Sequence, residues 1–99
     1  MNKLLRKLGF KPNLSGYVYI MEAVNILKKS KKRIRIMDVY EKIGKNHKMT
    51  ENSIERAIRY SINIAYQDET LKKFYNKKPS SSLLLKDIIF NLDMFKEVI

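Results

Sequence analysis

Residues 50–66 read TENSIERAIRYSINIAY. Ile54, Ala57, Ile58, Ser61, Ile62 and Ala65 recur there at intervals of three and four, the spacing of one buried face of an α-helix. Thr50 precedes the run as an N-cap, and Glu51 places a negative charge at the positive end of the helix. The opposite face carries Glu55, Arg56 and Arg59, where a merely solvated face would do as well with lysine and glutamine. A second helix is expected close by, over about 36–45, burying Met37, Val39 or Tyr40, and Ile43. Only "NHKM" at 46–49 separates the two, and helices joined by so short a link cross sharply, as in a helix-turn-helix. That crossing asks for a small residue in the first helix, supplied by Gly44, and for apolar residues at Ile43, Met49, Ile54 and Ala57. A glycine is usual in the turn, but Lys48 stands there.

Outward from this pair the pattern stays helical. Leu4, Leu5 and Leu8 mark a short first helix ended by Gly9 and followed by Pro12. Ser15 or Gly16 opens a second helix through Lys29, with Val18, Met21, Ala23, Val24 and Leu27 as core positions. Tyr17, Tyr19 and Tyr40 also fall at helical core spacing. After the long fourth helix, Asp68 caps a short fifth one carrying Leu71, Phe74 and Tyr75. A serine of "NKKPSSS" caps a last helix holding Leu84, Ile88, Ile89 or Phe90, Leu92 and Phe95. With three glycines, two prolines and no Asn-Gly or Asp-Gly turn, strand hairpins have no signal. The expected fold is all-α, a compact five- to six-helix domain spanning 1–99 with its helix-turn-helix at about 36–45 and 51–66.

Charge is the strongest global feature. The chain has 21 Lys and Arg against 10 Asp and Glu, a net charge of +11. Residues 28–59 hold eleven basic and four acidic residues, so +7 of that excess lies in a third of the chain. Such a cluster attracts a polyanion, and double-stranded DNA is the partner it fits best. The bland alternative is a solvated basic surface.

Other classes lose ground on composition. One histidine and no cysteine argue against a metal site, and no glycine-rich phosphate loop is present. No catalytic residue, cofactor or small-molecule substrate is expected, and an enzyme is the least favoured reading. "YVYIM" at 17–21 is far too short to cross a bilayer, and the N-terminus lacks a signal-peptide core, so no membrane partner and a cytoplasmic location are expected.

On the fourth helix Asn52, Ser53, Glu55, Arg56, Arg59 and Tyr60 are expected to face outward and read bases. Arginine makes two parallel bonds to O6 and N7 of guanine, and glutamate accepts from the amino group of cytosine. Recognition helices read from their N-terminal turns, where these residues sit. The competing reading is a solvated Glu55–Arg59 pair. Phosphates would be gripped by Lys28, Lys29, Lys31, Lys32, Arg33, Arg35, Lys45, Lys48, Thr50, Lys77 and Lys78, contacts that position without specifying.

Two segments carry a resemblance. "GYVYIMEAV" at 16–24 and "TENSIERAIRYSINIAY" at 50–66 resemble the C-terminal effector domain of the sporulation master response regulator of endospore-forming bacteria. That family has a Gly-Tyr-x-Tyr-x-x-Glu-Ala segment in its second helix and a Glu-Arg-Ala-Ile-Arg core in its recognition helix. "KP" at 78–79 before a serine-rich cap is similar too, so the resemblance covers nearly the whole chain. It implies a six-helix DNA-binding domain that reads a short GC-containing box as a homodimer or tandem pair of protomers, with Glu55, Arg56 and Arg59 at the family's base- and backbone-contacting positions.

The departures from the family pattern have implications of their own. Ser53 stands where the family usually has arginine, implying one lost contact. His47 takes an apolar position of the family and is expected as a partly buried core histidine. The connector "KKSKKRIR" is shorter and more basic, and the Gln67–Lys78 segment is shortened, which bears on the tandem contact. Met1 directly before the first helix leaves no room for the family's receiver domain, so constitutive action or competition with a full-length regulator is expected. The alternatives are a protein-interaction module that keeps the fold without reading DNA and, second, a small basic RNA- or ribosome-associated protein.

Overall fold

The computed structural model describes residues 2–30 and 33–98. Among these the chain forms six helices and no strand: α1 (Asn2–Lys7), α2 (Ser15–Lys29), α3 (Ile36–His47), α4 (Glu51–Ala65), α5 (Glu69–Lys72) and α6 (Ser81–Phe90), followed by a 3₁₀ turn at Leu92–Phe95. The all-α architecture and its helix-turn-helix are as expected, with α3 running on to His47.

Helix starts follow from local chemistry. The Thr50, Asp68 and Ser80 side chains accept from the amides of Ser53, Thr70 and Leu83 at the heads of α4, α5 and α6. A cap of this kind stabilises a helix by about 1 kcal/mol. At the end of the first segment Gly9 adopts φ +98°, a left-handed conformation that costs glycine little. A side chain at Gly9 would also collide with that of Asp68, so the N-terminal turn is packed against the corner between α4 and α5.

The core is built from α2, α3, α4 and α6. Ile20, Ala23, Val39, Ile43, Ile54, Ile58, Ile62, Leu84 and Leu85 are completely buried, and Leu5, Leu8, Leu71 and Phe95 close its ends. The helices α2 and α4 come into close backbone contact at Gly16. A β-carbon on Gly16 would strike the carbonyl oxygen of Ala57 and the hydroxyl of Ser61. Ser61 Oγ is itself buried without a hydrogen-bond partner, wedged into this crossing. The tyrosines expected in the core are there, and each phenol finds an acceptor. Tyr17 donates to Asn2 of α1, Tyr19 to the Met49 sulfur, and Tyr40 to Ser81.

Some expected core positions are not buried. Val18 is 45% exposed because Gly16, Tyr17, Ile20, Ala23 and Val24 define the inward face and Val18 lies across from it. Met37 shares the outer side of α3 with Glu41, and Met49 sits in the turn, both open to solvent. Met21 and Leu27 are half-buried. The last helix does not continue to Phe95. Asn91 leaves helical geometry and its amide side chain donates to Asp87, so Phe95 reaches the core through the 3₁₀ turn. The break leaves Phe90 77% exposed beside a hollow of about 390 Å³. Phe74 and Tyr75 likewise fall after α5, which ends at Lys72.

Two outcomes follow from this packing. Gly16→Ala should cost about 1–3 kcal/mol through overpacking, read by thermal unfolding, because the obstructing atom is backbone and α4 must move. The Asp68 carboxyl is held below its ordinary value of 3.8, chiefly by the Thr70 amide and then the Thr70 side chain, with Lys11 adding to the effect. A depressed carboxylate contributes stability that is present above the unfolded value and lost as pH falls through the folded one. The contribution should therefore be intact above pH 3.8 and fade below it. Asp68→Asn should keep the cap and flatten that part of the stability-versus-pH curve.

Candidate nucleic-acid interface

The turn between α3 and α4 is fixed from both sides. Lys48 takes the left-handed conformation, φ 58° and ψ 45°, the position where a glycine is usual. The amides of Lys48 and Met49 both donate to the Gly44 carbonyl. A side chain at Gly44 would press on the carbonyl oxygen of Met49, so the small residue expected there is needed for the turn itself. From the other side α2 holds the turn down. Tyr19 bonds Met49 Sδ at 3.2 Å and meets the His47 ring edge-on at 4.9 Å. Glu22 Oε2 lies 2.8 Å from His47 Nε2. His47 is thus not a core residue: its side chain is 32% exposed at the end of α3 and ties the turn to α2.

On α4, the outward stripe consists of Asn52, Arg56 and Arg59, with Tyr60 beside it at 54% exposure. Spacings of four and three put these side chains one above the other on one helix face. Two other expected base readers are placed differently. Ser53 is half-buried, and its hydroxyl accepts from Thr50 Oγ1 at 3.0 Å while its amide donates to the same oxygen. The two residues close the helix cap together, which also commits the Thr50 hydroxyl proton. Glu55 is half-buried and turned toward the head of α6.

Glu55 belongs to a chain of polar contacts that ties α3, α6 and α4 together. Tyr40 donates to Ser81 Oγ at 2.7 Å, Ser81 donates to Glu55 Oε2 at 3.4 Å, and Arg59 Nε faces Glu55 Oε1 at 3.8 Å. Tyr40 and Ser81 are almost wholly buried. Burial pushes the Tyr40 phenol above its ordinary value, opposed by the Ser81 bond and reinforced by the Glu55 charge. A buried polar group that loses its partner costs about 1–3 kcal/mol, so these groups hold one another in register.

Among the described residues, the basic ones expected at phosphates lie on the surface of the fold. Lys28 and Lys29 end α2, Arg33 and Arg35 lie on the connector, and Lys45, Lys48, Lys77 and Lys78 flank the turn and the loop before α6; all are exposed. Lys31 and Lys32 lie outside the described residues. Arg35 pairs with Asp38 at 3.5 Å and Lys45 with Glu41 at 3.4 Å. Both pairs are exposed, and such pairs contribute little. Among the described residues no group of three metal-ligating side chains comes together and no helix is long and apolar enough to cross a membrane.

Sequence reading missed Glu22 beside the turn, the buried Ser81 beneath Glu55, and Asn63, whose Oδ1 is buried without a partner one turn beyond Arg59. For Glu22 a signal existed in "GYVYIMEAV"; for Ser81 only the cap pattern was visible. A helix pair joined by a three-residue turn, with exposed arginines on its second member, is the arrangement of a helix-turn-helix DNA-binding domain. The family model described as "Sporulation initiation factor Spo0A C terminal" matches residues 1–85, and the chain belongs to that family. The family is one of DNA-binding effector domains of sporulation regulators, not of enzymes. The half of α6 from Lys86 onward lies past the matched residues.

The strained turn makes a separable expectation. Lys48→Gly should raise stability by up to about 1 kcal/mol, since a left-handed L-residue costs about that much. The same change removes a surface charge and should weaken DNA binding. Thermal unfolding and DNA titration on one sample would show the two effects with opposite sign.

Proposed function

We propose that the chain is a sequence-specific transcriptional regulator that inserts α4 into the major groove. The observation that carries this reading is the exposed stripe Asn52, Arg56 and Arg59 on a helix capped at Thr50 and locked to α3 through a three-point clamp from α2. Arg56 and Arg59 read guanine edges from that stripe, and Asn52 suits adenine. Glu55 acts beside Arg59, as its ion partner and as an acceptor for a cytosine amino group. Ser53 and Thr50 serve first as the cap, with Thr50 near enough to the helix head to meet a phosphate through its backbone. Lys28, Lys29, Arg33, Arg35, Lys45, Lys48, Lys77 and Lys78, together with Lys31 and Lys32, grip phosphates without reading sequence. On this reading the protein works on the chromosome in the cytoplasm.

Selection of bound DNA from a random pool gives the box on which this is tested. Arg59→Ala should cost about 1–3 kcal/mol on that box and relax preference at one base position. Lys78→Ala should weaken selected and random DNA alike and lower the salt slope by about one unit. Equal weakening of every DNA by Arg59→Ala would mean that the arginine holds only phosphate. With about six phosphates engaged, log affinity should fall against log salt with a slope near −5, and a slope shallower than about −2 would mean that the charge cluster is not spent on DNA.

A further inference from the structure

The chain Tyr40–Ser81–Glu55–Arg59 leads from the middle of the fold to the surface that faces DNA. Its first two members are buried: Tyr40 is 1% exposed and Ser81 7%. Its last is an exposed arginine on the reading stripe, 56% open at the side chain. The donors converge on the Glu55 carboxylate from two sides. The phenol O–H points to Ser81 Oγ, the serine O–H to Glu55 Oε2, and the Arg59 guanidinium closes on the other carboxylate oxygen. Ser81 sits in the first turn of α6, where unpaired amides and the helix dipole favour a carboxylate. The serine O–H therefore meets one oxygen of Glu55 at 3.4 Å, and the Arg59 Nε lies 3.8 Å from the other.

We infer that Ser81, which lies on a different helix from the reading stripe, is a positioning residue for base recognition. It fixes the Glu55 carboxylate against α6, and the carboxylate in turn sets the direction in which the Arg59 guanidinium leaves α4. The inference rests on the proposed base reading by Arg59, and it adds a residue that no outward-face argument would select. An arginine without a fixed partner samples many rotamers and fits several bases or a phosphate. One held along its Nε edge keeps its two terminal nitrogens for a single guanine. The polar chain thus acts on selectivity more than on affinity. A low-dielectric setting strengthens the Tyr40–Ser81 link, because water competes weakly for both groups.

The test uses the whole chain and the box selected for it. Ser81→Ala should lower discrimination between the box and its variant at the Arg59 base by about three- to tenfold, the size of a typical coupling between neighbours. Affinity for random DNA should stay unchanged. Ser81→Thr keeps the hydroxyl and should restore the wild-type profile. In an Arg59→Ala background, Ser81→Ala should add nothing. A DNA-free readout runs alongside: the Arg59 Nε–H resonance of the free protein should shift in Ser81→Ala and return in Ser81→Thr. Tyr40→Phe, which removes only the first hydroxyl, should move the same resonance by less and guards against a fold defect in the alanine variant. If Arg59→Ala changes base preference while folded Ser81→Ala does not, the positioning role is wrong and the base reading stands. If Arg59→Ala leaves preference untouched, the base reading is wrong, and an unmoved Arg59 resonance in Ser81→Ala would then overturn the positioning role as well.

Discussion

Everything that α4 presents depends on how close α2 can come to it. The absence of a side chain at Gly16 lets the two helices meet at the Ala57 carbonyl and Ser61. Once that contact is fixed, the rest of α2 has defined tasks. Tyr17 reaches Asn2 and brings α1 in, Tyr19 meets Met49 and His47, and Glu22 takes the His47 ring. A helix that looks like ordinary core from its composition is in fact the bed on which the turn and the recognition helix lie. The apolar face of α4 buries Ile54, Ile58 and Ile62, and that burial is large but not directional. Direction comes from the glycine contact and the three polar clamps.

The same reasoning explains why "GYVYIMEAV" and "ERAIR" are found together. Gly16 and Ala57 are two halves of one contact, so neither segment keeps its geometry without the other. Within the second segment each residue has a separate duty. Ala57 lies under Gly16, Ile58 enters the core, Glu55 turns to α6, and Arg56 and Arg59 stay outside. A longer side chain at 57 or a shorter one at 58 would be felt at the arginines through the backbone.

Much of this was legible in the sequence, and the part that was not has physical causes. Thr50, Asp68 and Ser80 announced three helix starts, because a cap is a local event between neighbours. The periodic isoleucines of α4 announced its buried face. What failed was inference from apolarity alone: Val18, Met37 and Met49 are apolar yet open to solvent, while Tyr17 and Tyr19 took the interior because their hydroxyls had acceptors to meet. Glu55 sits on the outward half of a helical wheel. A wheel, however, shows one helix and not the neighbour that covers its edge, and α6 is far away along the chain. Partners distant in sequence, such as Tyr40 with Ser81, leave no local trace.

The exposed ring of Phe90 has a bearing on how copies of the molecule behave toward each other. An uncovered aromatic beside an apolar hollow is adhesive, and two such surfaces would gain by meeting. Opposing that gain is the +11 charge on every copy. In dilute salt the Debye length is about 30 Å, comparable with the 34 × 27 × 22 Å dimensions of the molecule itself. Each copy then feels the whole charge of its neighbour before the rings touch. Near 1 M salt that length shrinks to about 3 Å, and the repulsion no longer reaches beyond the surface. Ionic strength therefore sets the range of that repulsion, from the dimensions of the whole molecule in dilute salt to its immediate surface at about 1 M.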